Sequence, residues 1–396
     1  MRKFSRFGLI AILCLAAACA TKQPPQRAKA PVGEPVPSVT GLEKALQDYQ
    51  AIAAKGGWPQ VSPNSQDKLQ KGSSGPSVTA LRQRLAVTGD LAKAGTSNVF
   101  DDDVEQGVMR FQERHGLEPD GSVGKETLAA LNVTAEERIR QIRVNLAQRE
   151  TMPKETAPRF VVVNIPDFRL RVIDHGKRVL GMKVVLGQKR QWQTPLLDSQ
   201  IKYLVLNPRW NVPSGIFAKE LIHDLRKDPT YLERHRMKAI STTDGGEVDP
   251  ATIDWANVSA TNPKMRIVQR EGAGNSLGRI KFLFPNPYDV YLHDTPMKKL
   301  FARNMRALSH GCVRVENPLD LAELLMNDNP EWTREKIQKA IDSGRNRDIP
   351  LATPVPVHII YRTAWVDEKG QVNFREDVYG RDAGMAAEVA PAGKSS

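Results

Sequence analysis

Apolar residues recur at helical spacing from residue 41 onwards. In "GLEKALQDYQAIAA", Leu42, Leu46 and Tyr49 share one helical face. Three later segments, separated by glycine-containing turns, repeat this spacing with Val78, Leu81 and Leu85, then Val104, Val108 and Phe111, then Leu128 and Leu131. The pattern predicts a small domain built around a three-helix bundle over residues 41–132, followed by a connecting helix over residues 133–158.

The hydrophobic period changes to two from about residue 159. "RFVVVNIPDFRLRVIDHGKRVLGMKVVLGQ" alternates apolar and polar residues, and "DHGK", residues 174–177, predicts a hairpin turn. Similar runs follow in "SQIKYLVLNPRWNVP", "PYDVYLHDT" and "VPVHIIYRTAWVDEKGQVNF". They predict a mostly antiparallel β domain over residues 159–378, with helices between strands, and hence an α+β fold class. The stretch of residues 214–279 is long and polar and has no regular hydrophobic pattern, so it would interrupt a compact sheet. It predicts an inserted lid over a cleft.

The N-terminus has the order of a secretory leader over residues 1–18. Arg2, Lys3 and Arg6 come first, then an apolar run too short to span a bilayer, then small residues before Cys19. We therefore predict that the protein is exported. Loss of the leader would lower the formal net charge from +12 to +9.

The remaining positive charge favours anionic partners, such as lipid headgroups or cell-wall polymers. We predict no nucleic-acid partner, because an exported protein rarely meets nucleic acid and the basic residues are scattered rather than aligned. Residues 19–40 are rich in proline and predict an extended tether of about 60 Å. Residues 379–396 are small and polar and predict a disordered tail.

The number and placement of the cysteines favour a reactive thiol over an internal disulfide. Of the three, Cys14 leaves with the leader and Cys19 stands at the cleavage site, so Cys312 has no partner. A lone thiol in an oxidising compartment is either a small buried side chain or a nucleophile. Its neighbours in "LSHGCVRVEN" favour the nucleophile.

A thiol becomes a nucleophile when a neighbour accepts its proton. His310 lies two residues away, and His293 ends a predicted strand nineteen residues before Cys312. Gly311 permits a tight turn whose backbone amides could stabilise an oxyanion. A zinc site formed by His293, His310 and Cys312 is the alternative, although no cluster with the spacing of a metal peptidase supports it.

"HDTP" followed by "SHGCVRV" resembles the signature of L,D-transpeptidases of the YkuD family. In that family a histidine precedes a Ser/Thr-His-Gly-Cys segment by about fifteen residues, the separation of His293 from Ser309 in this chain. "NPRWNVP", "DPTYLERH" and "FPNPYDVYLHDTP" resemble the large, lid-bearing Gram-negative branch of the family. The resemblance implies a YkuD-like β-sandwich with an inserted lid.

The resemblance also implies roles for individual residues. Cys312 would attack the peptide bond before the terminal D-alanine of a tetrapeptide stem, with His293 as general base and acid. A second stem's amine would then resolve the thioester into a 3→3 cross-link, without any cofactor or metal. Supporting roles would fall to the following residues: Ser309 within the turn, His310, Gly311 and Cys312 through their amides, His310 and Arg314 in shaping the site, and Asp294 as an orienter of the imidazole.

Two further resemblances concern location. The segment "FQ…HGL.PDG.VG..T…L", residues 111–131, resembles a peptidoglycan-binding module, and "LAAAC" resembles a lipobox that would lipidate Cys19. Ala20 after this cysteine favours the outer membrane. Together they imply a periplasmic protein that is anchored by lipid and binds peptidoglycan. The resemblance to L,D-transpeptidases implies that its substrates are peptidoglycan stems and that carbapenems inhibit it, and a partner cell-wall synthase is left open.

Three alternatives to transpeptidation remain open from the residues alone. Water in place of the amine would make the enzyme an L,D-carboxypeptidase. The same thioester chemistry could attach a lipoprotein to peptidoglycan or release it. A non-enzymatic wall tether would use only the helical module, but would leave His293 and Cys312 without a role.

Overall fold

The computed structural model describes residues 41–62, 68–148, 157–228, 230–367 and 369–384. The predicted leader, the predicted tether, the predicted lipidation of Cys19 and the chain beyond Gly384 lie outside these residues. Within the described part of the chain, no helix is both long and apolar enough to cross a membrane.

The described chain begins with helices α1 (Leu42–Ala54), α2 (Pro76–Val87), α3 (Asp102–Arg114), α4 (Lys125–Leu131) and α5 (Ala135–Ala147). The apolar positions of α2, α3 and α4 form one buried core, so the predicted three-helix bundle is present. Asp101 caps α3 by accepting from the Val104 N–H at 3.0 Å. Thr134 and Glu137 form a capping box at the start of α5.

A strand-rich domain follows α5 in the chain. Its first part contains β1 (Arg159–Asn164), β2 (Arg169–Asp174), β3 (Lys177–Gly187) and β4 (Leu197–Leu206). The middle part contains β5 (Trp210–Asn211), α6 (Ser214–Ile216), α7 (Ile222–Lys227), α8 (Tyr231–Arg234), β6 (Met237–Ser241), β7 (Glu247–Val248) and β8 (Met265–Gln269). The last part contains β9 (Ile280–Leu283), β10 (Leu292–His293), β11 (Ala307–Ser309), β12 (Val313–Val315), α9 (Pro318–Leu325), α10 (Arg334–Asp342), β13 (Arg347–Ile360), β14 (Ala364–Val366) and β15 (Val372–Phe374).

Nine strands of the described residues form one sheet, in the order β11-β3-β12-β10-β9-β4-β13-β1-β2. Because β2 also pairs with β3, the sheet closes on itself. Most neighbours are antiparallel, but β1 with β13, β10 with β12, and β11 with β3 run parallel. The α+β fold class is confirmed, and the predicted hairpin joins β2 to β3 through His175 and Gly176, both at positive φ.

The core of the closed sheet is made by alternate strand residues, as the period of two predicts. Val161 and Val163 of β1, with Leu292 of β10 and Val313 of β12, are fully buried. Helices α9 and α10 cover the core with Leu321, Leu325 and Ile337. Each such side chain contributes about 1.5–3 kcal/mol on burial, so this core fixes β10 and β12 as neighbours.

The segment between β4 and β9 forms a subdomain with its own sheet and core. Its sheet has the order β5-β8-β6-β7, and its core includes Phe217, Ile222 and Trp255. A π-helical turn, Phe217–Leu221, joins α6 to α7. The subdomain starts at β5, a few residues before the lid boundary predicted at residue 214, because Trp210 pairs with Gln269.

Helix α1 packs outside the core of the three-helix bundle. Leu42, Ala45 and Tyr49 belong to a cluster with residues of α5, with Ala364 of β14 and with Phe374 of β15. This packing differs from the predicted placement of α1 in the module of residues 41–132. Helical spacing identifies an apolar face, but the surface that covers the face depends on tertiary structure.

The C-terminal segment is folded past the predicted start of the tail. Tyr379 is 6% exposed, and its hydroxyl donates to the Gly187 carbonyl at 2.7 Å and accepts from the Thr194 N–H at 3.2 Å. Residues 381–384 are helical. The prediction of disorder is therefore wrong for residues 379–384, because Tyr379 anchors an otherwise polar stretch.

Candidate active site

Cys312 follows a tight turn between β11 and β12. Gly311 has a backbone φ of 110°, a conformation that residues other than glycine rarely adopt. The buried Ser309 hydroxyl spans this turn, since it donates to the Cys312 carbonyl at 2.6 Å and accepts from the Gly311 N–H at 3.2 Å. The backbone amides of His310 and Cys312 have no hydrogen-bond partner among the described residues, so they are available to an anion.

The parallel pairing of β10 with β12 brings the predicted site residues together. Leu292 pairs with Val313, and His293 pairs with Arg314. On the other side, His293 pairs with Lys281 of β9. Since alternate residues share a face, the side turned away from the core carries five polar residues. We call them the reactive face: Lys281, Tyr291, His293, Cys312 and Arg314.

His293 is 4% exposed, and its environment keeps the imidazole neutral. Burial, followed by the positive charge of Arg314, lowers the pKa of His293 to about 3. Backbone carbonyls of Asp294 and Leu277 favour the charged form without reversing this shift. The ring Nδ1 donates to the Asp294 carbonyl at 2.5 Å, which leaves Nε2 with a lone pair. His293 is therefore neutral at pH 7, and the lone pair on its Nε2 is a weak base.

Asp294 orients the imidazole through its backbone rather than its carboxylate. The carboxylate instead accepts from the N–H groups of Thr295 at 2.7 Å and Arg279 at 2.8 Å. It also accepts from Lys298 Nζ at 2.7 Å. These bonds fix the end of β10, and hence the position of His293.

The Cys312 thiol is half-buried, and burial raises its pKa. Hydrogen bonds from the backbone and the hydroxyl of Tyr291 oppose this shift, as do the charges of Lys281 and Arg314. The Asp289 carbonyl lies 3.8 Å from the sulfur. Because burial outweighs these opposing contacts, the free thiol is protonated at neutral pH and needs a base to become a nucleophile.

Arg314 places a guanidinium group with spare donors beside Cys312. Its Nη1 contacts Met297 Sδ at 3.4 Å, and its Nε is buried without a hydrogen-bond partner. No ion pair joins Arg314 to a carboxylate within the described residues, and burial lowers its pKa. A buried cation with spare donors is suited to bind an anionic group of a substrate.

His310 faces the inserted subdomain. Its Nε2 lies 2.8 Å from Glu220 Oε1, and its ring lies 5.3 Å from that of Trp192. Lys219 Nζ lies 4.5 Å from the centre of the Trp192 ring. Since Lys219 and Glu220 belong to the π-helical turn, the subdomain touches the turn that carries Cys312.

Sequence reasoning missed the residues that support this turn from outside. The buried Thr194 hydroxyl donates to the Gly311 carbonyl at 2.8 Å and accepts from the Gly187 N–H at 2.9 Å. Tyr379 holds both Thr194 and Gly187. More than a hundred residues separate Thr194 from Gly311, so no local pattern signals the contact. Tyr291 could have been found from the sequence, since it stands two residues before His293 in the predicted strand "PYDVYLHDT" and hence on the same face.

Acid should destabilise the wild type more steeply than a His293→Gln variant. An unfolded imidazole titrates near pH 6.5, whereas the folded pKa is about 3. Between these values the unfolded state binds one more proton, so the free energy of unfolding falls as the pH falls. Urea denaturation from pH 7 to pH 4 measures this slope. His223→Gln, at an exposed position of α7, should keep the wild-type slope; an equal slope in His293→Gln would contradict the prediction.

Comparison with known families agrees with the two resemblances. The YkuD family model, described as "L,D-transpeptidase catalytic domain", matches residues 158–357. A second model, described as "Putative peptidoglycan binding domain", matches residues 74–131. The first match covers half of the chain, and the second covers α2, α3 and α4.

The chain is also similar to a curated protein. A curated protein of Haemophilus influenzae, named "Putative L,D-transpeptidase", is 36% identical over 223 residues, which are 56% of this chain and 44% of the relative. The aligned region therefore spans less than half of that relative's length.

Solved L,D-transpeptidase structures also match. One from Xylanimonas cellulosilytica is 17% identical, with 76% of this chain and 100% of that chain covered, at a TM-score of 0.23. One from Stackebrandtia nassauensis is 14% identical, with 76% and 97% covered, at a TM-score of 0.29. Scores this low carry no conclusion about activity.

Proposed function

Because this chain belongs to the YkuD family of L,D-transpeptidase catalytic domains, we propose that it is a peptidoglycan L,D-transpeptidase with Cys312 as its nucleophile. The observation that carries the proposal is the reactive face. There the β10–β12 pair sets the thiol of Cys312 and the neutral imidazole of His293 on the same side of adjacent strands. From a protonated thiol and a neutral imidazole, acyl transfer can proceed by general-base catalysis, in which the imidazole takes the thiol proton as sulfur attacks.

The first half-reaction forms a thioester. His293 Nε2 takes the Cys312 proton as sulfur attacks the carbonyl carbon before the terminal D-alanine of a tetrapeptide stem. The C–N bond then breaks, and the imidazolium returns the proton to the departing amine. Low basicity of His293 favours that second transfer, because a buried imidazolium beside Arg314 is a strong acid.

The unpaired amides of His310 and Cys312 stabilise the negative oxygen of the tetrahedral intermediate. Preorganised N–H donors of this kind are worth about 2.7–4 kcal/mol each in other acyl transferases. The Gly311 amide is already bonded to Ser309, so its role is to shape the turn. Arg314 binds a carboxylate of the stem peptide through its spare donors.

The second half-reaction decides the product. The side-chain amine of the third residue of another stem attacks the thioester carbonyl and gives a proton to His293. The C–S bond then breaks, and His293 returns the proton to sulfur, which restores the thiol of Cys312. The result is a 3→3 cross-link. The inserted subdomain acts as the lid over this reaction, since its Glu220 and Lys219 contact His310 and Trp192 beside Cys312.

The test is a product analysis by mass with disaccharide-tetrapeptide muropeptides. Dimers that have lost D-alanine support the proposal, whereas tripeptide monomers alone indicate an L,D-carboxypeptidase. Cys312 is the only thiol after residue 19, so iodoacetamide treatment gives a matched control that should stop either reaction. No product from untreated protein would direct attention to lipoprotein attachment or release, or to a wall tether.

A metal peptidase is less well supported by the structure. His310 Nε2 is engaged with Glu220, and His293 Nδ1 with the Asp294 carbonyl. Residues 41–384, apart from the undescribed gaps, contain no group of three His, Cys, Asp or Glu residues placed to hold a metal ion. A chelator is expected to leave the cross-linking rate unchanged.

The cell-wall activity implies a location, which we also propose. The protein acts in the periplasm, with Cys19 as a lipid anchor in the outer membrane and residues 19–40 as the tether. Metabolic labelling with a palmitate analogue tests the anchor, since Cys19→Ala should lose the label and Cys14→Ala should keep it.

A further inference from the structure

A cavity of about 400 Å³ lies between the three-helix bundle and the closed sheet. One wall comes from the end of α3 and from α4, with His115, Leu117 and Ala130. The other wall comes from the β1–β2 turn, from residues 304–306 before β11, and from residues 374–378. No residue of the reactive face lines this cavity, so it is a second site.

The walls of this cavity hold more buried positive than buried negative charge. Arg375 pairs with Asp167 at 2.6 Å, and Asp167 also pairs with Arg171 at 2.6 Å. Two further guanidinium groups line the cavity, those of Arg138 and Arg306, and neither has an ion-pair partner within the described part of the chain. Asp167 is therefore shared between Arg375 and Arg171, and the guanidinium groups of Arg138 and Arg306 have no ion pair of their own among the described residues.

Arg138 and Arg306 are bonded only to neutral oxygens. Arg138 is 6% exposed, donates to Gln141 Oε1 at 2.8 Å and to the Ala130 carbonyl at 3.2 Å, and has a buried Nε without a partner. Arg306 is 7% exposed and donates only to backbone carbonyls, among them that of Phe168 at 3.1 Å. Buried charge is costly unless it is paired, so an incoming anion would stabilise this cavity.

Other carboxylates near the cavity, where the structure describes them, form no ion pair with Arg138 or Arg306. Glu137 acts on Arg138 and Glu316 acts on Arg306 through charge alone, and neither of these glutamates lines the cavity. Glu126 and Glu376 do line it, but both are solvent-exposed, and water screens exposed charges. Glu126 is engaged with Asn304 Nδ2 at 3.5 Å. The buried interior therefore keeps its positive excess.

An aromatic surface completes the site. The His115 ring stacks on Phe111 with centroids 3.8 Å apart and lies 5.7 Å from Phe374. Arg138 lies over the Phe374 ring at 4.6 Å. Burial and the nearby Arg114 lower the pKa of His115 well below its usual value, so this wall is uncharged. It suits the methyl groups of lactyl and alanyl units beside a carboxylate.

We infer that the cavity binds a carboxylate of a peptidoglycan stem peptide through Arg138 and Arg306. The stem belongs to a strand that the enzyme holds while Cys312 acts on another. The identity of the ligand rests on the proposed function, whereas the anion site rests on the buried guanidinium groups. A volume of this size accommodates part of a stem rather than a whole muropeptide.

The experiment is calorimetric titration of the full chain with a disaccharide-tetrapeptide muropeptide, in a Cys312→Ala background that prevents turnover. Arg138→Gln should weaken the cavity component by about tenfold or more, because it removes a charge-assisted hydrogen bond. Arg138→Lys should retain part of the binding, because it keeps the charge. Unchanged binding in Arg138→Gln would overturn the inference.

A second pair of variants guards against misfolding. Ala129 is an exposed residue of α4 that lines the cavity. Ala129→Glu adds a carboxylate that competes with the ligand and should weaken binding, whereas Ala129→Gln, of similar size, should not. Equal binding by both variants would also overturn the inference.

The ligand is tested separately from the site. A muropeptide whose carboxylates are converted to amides should lose the cavity component, and equal binding of the amidated form would refute carboxylate recognition. Competition by acetate at the muropeptide's own concentration would indicate a simple anion site and refute the stem assignment. Cross-linking by the unmodified enzyme without cavity binding would leave the proposed function intact and reject only this inference.

Discussion

Replacing Cys312 by alanine is expected to abolish D-alanine release, with a loss of at least about 10³-fold, because the covalent intermediate can no longer form. The fold should persist, since the side chain is half-buried and the turn is held by Ser309, Gly311 and Thr194. We expect a change in the free energy of unfolding below about 1 kcal/mol.

Three measurements check this expectation together. Chromatography of muropeptides gives the rate, urea denaturation gives the stability, and intact mass after carbapenem treatment gives the adduct. Wild-type protein should gain the mass of one carbapenem and Cys312→Ala none. A rate within tenfold of the wild type, with normal folding, would refute the assignment of Cys312 as the nucleophile.

A Gly187→Ala substitution is expected to inactivate the enzyme, although Gly187 is not part of the reactive face. A Cβ at Gly187 would lie 1.7 Å from the Trp192 carbonyl oxygen and 2.8 Å from the Thr194 nitrogen, both backbone atoms. The segment around Thr194 must therefore move, and Thr194 would lose its bond to the Gly311 carbonyl. Because main-chain atoms cannot turn aside like flexible side chains, we expect a cost of about 3 kcal/mol or more.

The matched control is Gly274→Ala, since a Cβ there meets no atom within 4 Å and the residue does not have a positive φ. This control should keep the wild-type rate and stability. The cross-linking rate and the urea midpoint of both variants measure the contrast. Near-normal activity of Gly187→Ala would show that the Cys312 turn does not depend on the Gly187–Thr194 contact.

Local patterns in the sequence predict most of the elements but not how they pack. Helical spacing identifies α1 to α4, and the "DHGK" turn identifies the β2–β3 hairpin. Spacing cannot show that α1 is covered by α5 and β15. Nor can alternation distinguish the parallel β10–β12 pair from an antiparallel one, because the side-chain period is the same in both.

Some residues of the candidate active site could likewise be predicted from the sequence, and others are found only in the structure. His293, Ser309, Gly311, Cys312 and Arg314 form one signature along the chain, and the structure places them on and beside one pair of strands. Thr194 and Tyr379 reach the site through contacts between distant segments, so no spacing marks them. The signature indicates Asp294 as an orienter, but only the structure shows that its carbonyl, not its carboxylate, meets the imidazole.

The anchoring of Tyr379 has a consequence for biosynthesis. Its hydroxyl joins Gly187 and Thr194, which in turn hold the Gly311 carbonyl. During synthesis, Cys312 is added more than sixty residues before Tyr379, so the thiol is present before these hydrogen bonds can form. Until they form, the turn that carries Cys312 lacks its outer support. The full reactivity of the thiol therefore comes only after synthesis has passed residue 379. Chains truncated before that point would carry the thiol of Cys312 but not an organised nucleophile.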